Sequence, residues 1–345
     1  MRVRVKRERP PGMMDVARLA GVSHQTVSRV LHEHPNVSEP TRLKVRAAIA
    51  ELGYRPDRTA RALVTGTSGV IGVVAPNTAL YGPASMLNAF EQAAQDSGFA
   101  VNVGNVRTLD ERSIAHAVER HLDQRVAGLV VIAPVTSAES ALAALPADIP
   151  LVTIDGDPHR SSTRVTVDQV AGGRAATEHL LAAGHETVWH LSGPQDWFDA
   201  NGRVRGWEEA LRAAGVEPPP LLIGDWSAES GYRNGKLLAR LPEVTAVFTG
   251  NDHMALGLLR ALNEQGRRVP TEISIVGFDD VPQAAYYTPP LTTVRPDFVA
   301  VARAGIDMLL TQIETGTAPT VARRVITPTL ITRESVAPPP SLRHA

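Results

Sequence analysis

The 345-residue sequence contains no cysteine, which excludes disulfides, thiolate metal sites and a cysteine nucleophile. No stretch approaches the roughly 18 unbroken apolar residues of a membrane span, so no membrane association is expected. The opening MRVRVKRERPPG is basic but lacks the apolar segment of a secretory signal. The expected location is the cytoplasm. No G-x-G-x-x-G follows the first strand pattern of the main body, and no phosphate loop is present. No cofactor, metal site or catalytic residue is therefore expected.

What is present is ordinary in bulk and uneven in distribution. Apolar residues make up 43% and charged residues 21% of a chain long enough for two or three domains. The net charge of −1 conceals a step: residues 1–65 carry 13 Lys/Arg against 6 Asp/Glu, a net of +7, leaving −8 for the rest. That asymmetry suggests a small nucleic-acid-binding region on a neutral-to-acidic body. Residues 1–12 read as a disordered basic tail, and Met13 and Met14 are alternative starts to Met1.

Three helical patterns precede Pro56. In the first, Met14 to Ala20, Val16, Ala17 and Ala20 form the apolar face, and Gly21 follows where a left-handed turn residue belongs. Ser23 reads as the cap of the second helix. The third opens with Ser38 as its cap and Pro40 in its first turn, buries Val45, Ala48, Ile49 and Leu52, and closes at Gly53. Ala17, Gly21 and Val27 have helix-turn-helix spacing: a small residue at the crossing, glycine at the turn, a β-branched plug between the helices. The stretch GVSHQTVSRVL then becomes a recognition helix. Gln25 can pair bidentately with adenine and Arg29 with guanine or a phosphate, while His24 can donate to a base edge or a phosphate. Ser28 and Thr41 suit phosphates. The alternative for each residue singly is a solvated polar side chain.

From Val70 onward apolar strand patterns alternate with helical ones. Strands are expected at 70–75, 100–103, 129–133, 151–154, 188–192, 246–249 and 273–276, with helices such as 83–97, 111–124, 169–183 and 252–265 between them. Such alternation implies parallel sheets covered on both faces, here two Rossmann-like lobes with a cleft at their strand ends. Polar residues sit at those ends: Asp155, Asn251-Asp252, Asp279-Asp280, with Trp226 in GDWSAESG and Arg203 and Arg205 in NGRVRGW. Carboxylates, an amide, an arginine and a tryptophan suit a sugar, whose hydroxyls take paired hydrogen bonds and whose apolar face stacks on indole. The alternatives are turn chemistry for Asp155, capping for Asp279 and Asp280, and core packing for Trp226.

The segment MDVARLAGVSHQTVSRVLHEHPNVSEPTRLKVRAAIAELGYRPDRTARALVTG resembles the DNA-binding headpiece of the LacI/GalR family of transcriptional regulators. GDWSAESGY, NDHMALGLLRAL, ISIVGFDD and YTPPLTTV extend the resemblance over nearly the whole chain, closer to the lactose-responsive branch than to the purine-responsive one. It implies a helix-turn-helix headpiece at 13–56, a hinge helix and linker at 57–67, and a periplasmic-binding-protein-like core at 68–340 before a tail at 341–345. The lobes would comprise about 68–167 with 296–325, and about 168–295 with 326–340. The implied DNA contacts are Ser23, His24, Gln25, Thr26, Ser28, Arg29, Asn36, Ser38 and Thr41, with Arg58, Ala60 and Leu63 in a hinge that folds over the minor groove, Leu63 as the wedge. The implied effector contacts are Asp155, Arg203, Trp226, Asn251, Asp279 and Phe298, with Leu80, Pro83 and Met86 as an apolar flank for an aglycone or second sugar.

Two departures bear on specificity. Pro76 stands where the lactose-responsive branch has a serine, and His24 where its recognition helix has a tyrosine. The function expected is a sugar-released repressor, responsive to a galactoside or glucoside, binding a pseudo-palindromic double-stranded operator as a homodimer. With SVAPPPSLRHA following Arg333, no leucine-heptad tetramerisation tail is expected, and the expected assembly is a dimer. The same architecture with a purine or other corepressor is the alternative. An enzyme and a transport-type sugar-binding protein are less consistent with these features, since adjacent Asp279 and Asp280 cannot flank a glycosidic bond.

Overall fold

The computed structural model describes residues 11–31, 34–54, 68–76, 80–108, 110–143, 145, 149–155, 163–316 and 323–340. The expected hinge at 57–67 with Arg58, Ala60 and Leu63, the first ten residues and the tail at 341–345 lie outside them. The chain divides into two units, Met1–Ser68 and Gly69–Ala345.

The first unit contains helices α1 (Met13–Ala20), α2 (His24–Leu31) and α3 (Glu39–Leu52). The Asp15 carboxylate accepts the Gly12 N–H at 2.8 Å and so holds the start of α1. Gly21, at φ 66°, ends α1 in the left-handed conformation that spares glycine a Cβ clash, and Val22 N–H returns to the Ala17 carbonyl. Ser23 Oγ accepts Thr26 N–H at 3.2 Å, capping α2. Ser38 differs from the expectation: its side chain caps no N–H but pairs with the Thr41 hydroxyl at 2.9 Å. Val16, Val27 and Val45 are completely buried, one from each helix, with Ala17, Val30, Ala48 and Tyr54 around them. Three β-branched side chains interlocking at one point fix the angle between α1 and α2.

The second unit holds two six-stranded sheets. The first has the order β11-β5-β4-β3-β1-β2, from β1 (Val70–Pro76), β2 (Ala100–Val106), β3 (Gly128–Ile132), β4 (Leu151–Ile154), β5 (Arg164–Val167) and β11 (Arg323–Ile326), all parallel. The second has the order β12-β10-β9-β8-β6-β7, from β6 (Trp189–Ser192), β7 (Leu222–Ile223), β8 (Ala246–Thr249), β9 (Ser274–Phe278), β10 (Thr292–Arg295) and β12 (Thr329–Ile331). Only β12 pairs antiparallel. The chain passes between the sheets after Val167, after Arg295 and after Ile326, and the Asp168 N–H joins the Ile326 carbonyl at 2.8 Å at two of these crossings.

Both faces of each sheet are covered, as their unbroken apolar strands demand. On the first, α4 (Tyr81–Asp96) and α11 (Phe298–Thr315) bury Phe90 and Leu309 against Ile71, Val130 and Ile154. On its other face α5 (Glu111–Asp123) and α6 (Ala138–Ala143) bring Ile114 and Val118 onto Val74 and Val131. On the second sheet, α7 (Gln169–Ala182) and α8 (Phe198–Ala213) place Leu180, Trp207 and Leu211 on Phe248 and Phe278. Opposite them α9 (Ala228–Leu238) and α10 (Asp252–Glu264) place Leu238 and Leu258 on Val247 and Ile275. Each such side chain contributes about 1.5–3 kcal/mol by leaving water.

The expected central strands are present within a few residues of their expected ends. The short outer strands β5, β7, β10, β11 and β12 were not expected. β7, β11 and β12 lie at sheet edges and are partly exposed, while β5 (RVTV) and β10 (TTVR), each one place in from an edge, are mostly buried but at least half polar, so no unbroken apolar run marks them.

Candidate functional site

In the first unit the expected DNA-contact residues form a polar face opposite the buried valines. His24, Gln25 and Arg29 are exposed on α2, with Ser23 exposed just before it and Thr26 and Ser28 half-buried. Asn36 and Ser38 are exposed and Thr41 half-buried at the entry to α3. Val27 and Val30 point the other way, into the core. The helix therefore presents hydrogen-bonding groups outward on a rigid base.

In the second unit the candidate site lies at the strand ends, where the lobes meet. Asp155 follows β4, Asp279 follows β9, and Asn251 caps α10 after β8. Asp155, Trp226 and Asp279 have φ values of 61°, 70° and 103°, left-handed conformations that cost a non-glycine residue of order 1 kcal/mol and that collect at functional sites. All nine expected effector contacts line two adjoining spaces of about 300 and 380 Å³. Leu80, Trp226 and Asn251 border the first, Met86, Asp155 and Phe298 the second, and Pro83, Arg203 and Asp279 both. A more polar space of about 660 Å³ lies beyond Asp155 and Asp199. Pro76 is not among the lining residues.

Arg203 is the hub. It projects from α8, only 4% exposed, because that helix packs unusually close to α7. A Cβ at Gly206 would lie 2.1 Å from the Val170 carbonyl oxygen, and one at Gly173 2.4 Å from that of Arg203 itself, so only glycine allows this approach. Arg203 Nε donates to Gln169 Oε1 at 2.9 Å and an Nη to the Gly250 carbonyl. The guanidinium lies 3.6 Å from the centre of the Phe278 ring. Its other Nη faces Asp279 at 3.7 Å and Asp199 at 3.9 Å.

Arg203 stands among three carboxylates, Asp279 buried and Asp155 and Asp199 half-buried, and cannot neutralise them all. Burial and the neighbouring Asp199 charge push the Asp155 carboxyl well above its ordinary range, against the pull of Arg203 and Arg164. Burial raises Asp199 against Arg203 and a hydrogen bond from Gln169, and raises Asp279 to about 7 against Arg203. With the Arg203 guanidinium as donor and the carboxyl oxygens as acceptors, the site offers both halves of the hydrogen bonds that a hydroxyl-rich ligand makes.

Two of the expected contacts are also scaffold. Asn251 Oδ1 accepts Met254 N–H at 2.8 Å and its Nδ2 donates to the Trp226 carbonyl at 3.1 Å, fixing the tryptophan. Trp226 is 6% exposed, lies against Gly193 and has an indole N–H without a hydrogen-bond partner among the described residues. Met86 belongs to the core as well as to the cleft wall. Phe298 meets Tyr81 edge-on at 6.3 Å.

Nearby acidic residues are bound up elsewhere. Asp252 accepts Val281 N–H at 2.9 Å and the Thr293 hydroxyl at 2.6 Å. Asp280 is clamped by Arg295 and Arg333, and Asp225 accepts the Ser227 N–H of its own turn. Asp199, Trp197, Gln169 and Tyr81 join the site without having been expected there. For Asp199 a signal existed: it precedes Arg203 by four residues, one helical turn. Among the described residues no helix is long and apolar enough to cross a membrane.

Comparison with known proteins is consistent with both surfaces. Residues 12–57 match the model of bacterial regulatory proteins of the lacI family, and residues 177–336 that of the periplasmic binding protein-like domain. The lactose operon repressor of Escherichia coli K12 is 37% identical over 312 residues, 90% of this chain and 86% of that protein. The lac repressor dimer bound to operator and the anti-inducer ONPF superimposes with a TM-score of 0.84 at 35% identity, covering 95% of this chain and all of that one. The complex of the regulator CelR with cellobiose gives a TM-score of 0.70 at 32% identity over 94% and 99% of the two chains. A likeness of this extent, spanning headpiece and core together, places the chain in the LacI family of bacterial regulatory proteins.

Proposed function

We propose that this protein is a cytoplasmic transcriptional repressor that binds a pseudo-palindromic operator as a homodimer and is released when a sugar enters the cleft between its lobes. The observation that carries the reading is the convergence on Arg203 of residues drawn from both lobes, within a chain that also bears a polar recognition helix. The relatives' ligands point to a galactoside or a glucoside. A ligand bridging the lobes stabilises one lobe orientation over the other, and in a dimer that reorientation changes the spacing of the two headpieces. The two sites are then linked by one coupling free energy, so operator binding weakens sugar binding by the same factor. Exposed Ile223, Leu237 and Leu256 on the second lobe, between 43% and 56% accessible, supply apolar surface for the dimer contact. No enzymatic activity is assigned.

The test is selection of bound duplexes from a random pool, followed by titration of the selected operator complex with lactose, galactose, cellobiose and glucose. A two-fold symmetric site released by one of these sugars is the expected result. An asymmetric site, or a complex that all four sugars leave unchanged, would count against the proposal. Tighter binding with a sugar would reverse the sign and make it a corepressor.

A further inference from the structure

The segment Pro194–Asp199 does two things at once. Its side chains face the cleft: Trp197 lies edge-on to Trp226 with ring centres 5.6 Å apart at 71°, and Asp199 faces Arg203. Its backbone crosses to the other lobe. Thr136 N–H donates to the Asp196 carbonyl and Phe198 N–H to the Pro134 carbonyl, both at 2.9 Å, with Val135 and Trp197 paired as an antiparallel bridge. Trp197 packs against the apolar cluster of Val135 and Ala138 on one side and that of Leu191, Trp226 and Leu80 on the other. Both lobes therefore hold this tryptophan.

We propose that Trp197 is a second aromatic wall of the effector cleft, and that through it the protein distinguishes two-ring glycosides from monosaccharides. Asp199, Arg203 and Asp279 stand where the two spaces of the cleft adjoin and can take the hydroxyls of a single hexose. Asp155, Met86 and Phe298 line the space on one side of them, and Leu80, Tyr81, Trp197 and Trp226 give the space on the other side its aromatic walls. Two indoles meeting near a right angle form a corner, so a ring stacked on one presents its edge to the other. A lone hexose anchored at the carboxylates leaves that corner empty. A second pyranose or an aryl aglycone fills it.

The backbone bridge positions the wall. Phe198 is the first residue of α8, where proline is tolerated, and Trp197 before it is already extended at φ −99° and ψ 127°, as a residue preceding proline must be. F198P therefore deletes one inter-lobe hydrogen bond without opposing the local backbone. F198A keeps the N–H and controls for the lost ring.

The inference rests on the sugar-responsive reading, and the experiment separates the two. Calorimetric titration of the full chain would use cellobiose, lactose and o-nitrophenyl galactoside beside glucose and galactose. The best two-ring ligand should bind the unaltered protein about tenfold or more tightly than its parent monosaccharide. W197A should weaken that ligand about tenfold and the monosaccharide by less than about twofold, W197F should restore most of the difference, and F198P should weaken the two-ring ligand more than F198A does. Thermal melting without sugar checks that each variant is folded. If both ligand sizes bind and W197A changes neither, or changes both equally, the role given to Trp197 is overturned while the sugar reading stands. If none of the five sugars binds the unaltered protein, the sugar reading falls and this inference with it.

Discussion

The recognition face of the headpiece and the effector cleft place polar side chains in opposite settings. On α2, His24, Gln25 and Arg29 stand in water above a purely apolar core, so each can be exchanged with little effect on folding. In the cleft Arg203, Asp279 and Asn251 are at least 93% buried, the first two facing one another and Asn251 bonded to the Trp226 carbonyl. There a side chain serves the ligand and the fold together, and removing it strands its partners in a medium of low dielectric. One surface can change its specificity freely. The other can change it only in compensated sets.

The largest effect that separates them is expected for R203A. Deleting the cation should abolish any sugar response and destabilise the second unit by about 3–5 kcal/mol, because the carboxylates lose their nearest positive charge. R203K keeps the charge but cannot reproduce the fork to Gln169 and the Gly250 carbonyl, and should fall between. Urea unfolding and sugar titration of the same samples read both quantities. A variant that loses sugar binding at unchanged stability would break the contrast. Q25A is the counterpart on α2: operator affinity should drop by about 1–3 kcal/mol, mostly at one base pair, with melting of the headpiece unchanged. A matching loss of headpiece stability would show that the recognition face is not independent of its core.

Titration sharpens the comparison further, because among the described residues the large shifts lie in the second unit. His190 is completely buried in the lobe core, stacked on Phe248 at 4.4 Å with Nδ1 against the Phe248 carbonyl, and burial pushes its pKa down to about 3. The folded state binds a proton there less readily than the unfolded chain, so this group lowers stability as pH falls from about 6.5 toward 3. Asp279 works in the other sense. With its pKa raised to about 7, it lowers stability as pH rises from about 4 to 7. H190F should therefore gain on the unaltered protein with acidification, by about 2 kcal/mol at pH 5. D279N should gain with alkalinisation and level off above pH 7. Urea midpoints across pH 4.5–8 check both, and parallel curves for the three proteins would sink this assignment.

Much of this was legible in the sequence where one periodicity or one turn carries the information. The Ala17-Gly21-Val27 spacing locates the helix-turn-helix, and unbroken apolar runs locate the central strands of both sheets. Polar residues directly after those strands, such as Asp155 and Asp279, could be placed at the cleft for the same reason. Trp197, Gln169 and Tyr81 could not, because they reach the site through tertiary packing of helix starts that no local pattern marks. The edge strands were illegible for a related reason: β11 and β12 are defined by partners more than 30 residues away, and their own residues are half polar. Asp252 is the reverse case. It looks like an effector residue beside Asn251 and is instead a buried strut to Thr293 and Val281.

The smallest expected effect lies within the headpiece and asks whether all its exposed hydroxyls are as free as Gln25. Ser23 and Ser38 stand at corresponding places, each just before a helix and each expected to meet DNA. Ser23 Oγ accepts the Thr26 N–H at 3.2 Å, a first-turn donor that otherwise has only the Ser23 carbonyl at 3.0 Å. S23A should cost the headpiece about 1 kcal/mol before any DNA is present. Among the described residues Ser38 Oγ pairs only with the Thr41 hydroxyl, and water can replace it there. S38A should change headpiece stability by no more than a few tenths of a kcal/mol, since surface substitutions away from a cap rarely exceed about 0.5 kcal/mol. Melting of the first unit within the full chain, followed by helical circular dichroism, distinguishes the two serines. Equal losses would mean that Ser38 caps α3 in solution and that its hydroxyl, like those of the cleft, is committed to the fold before it meets a ligand.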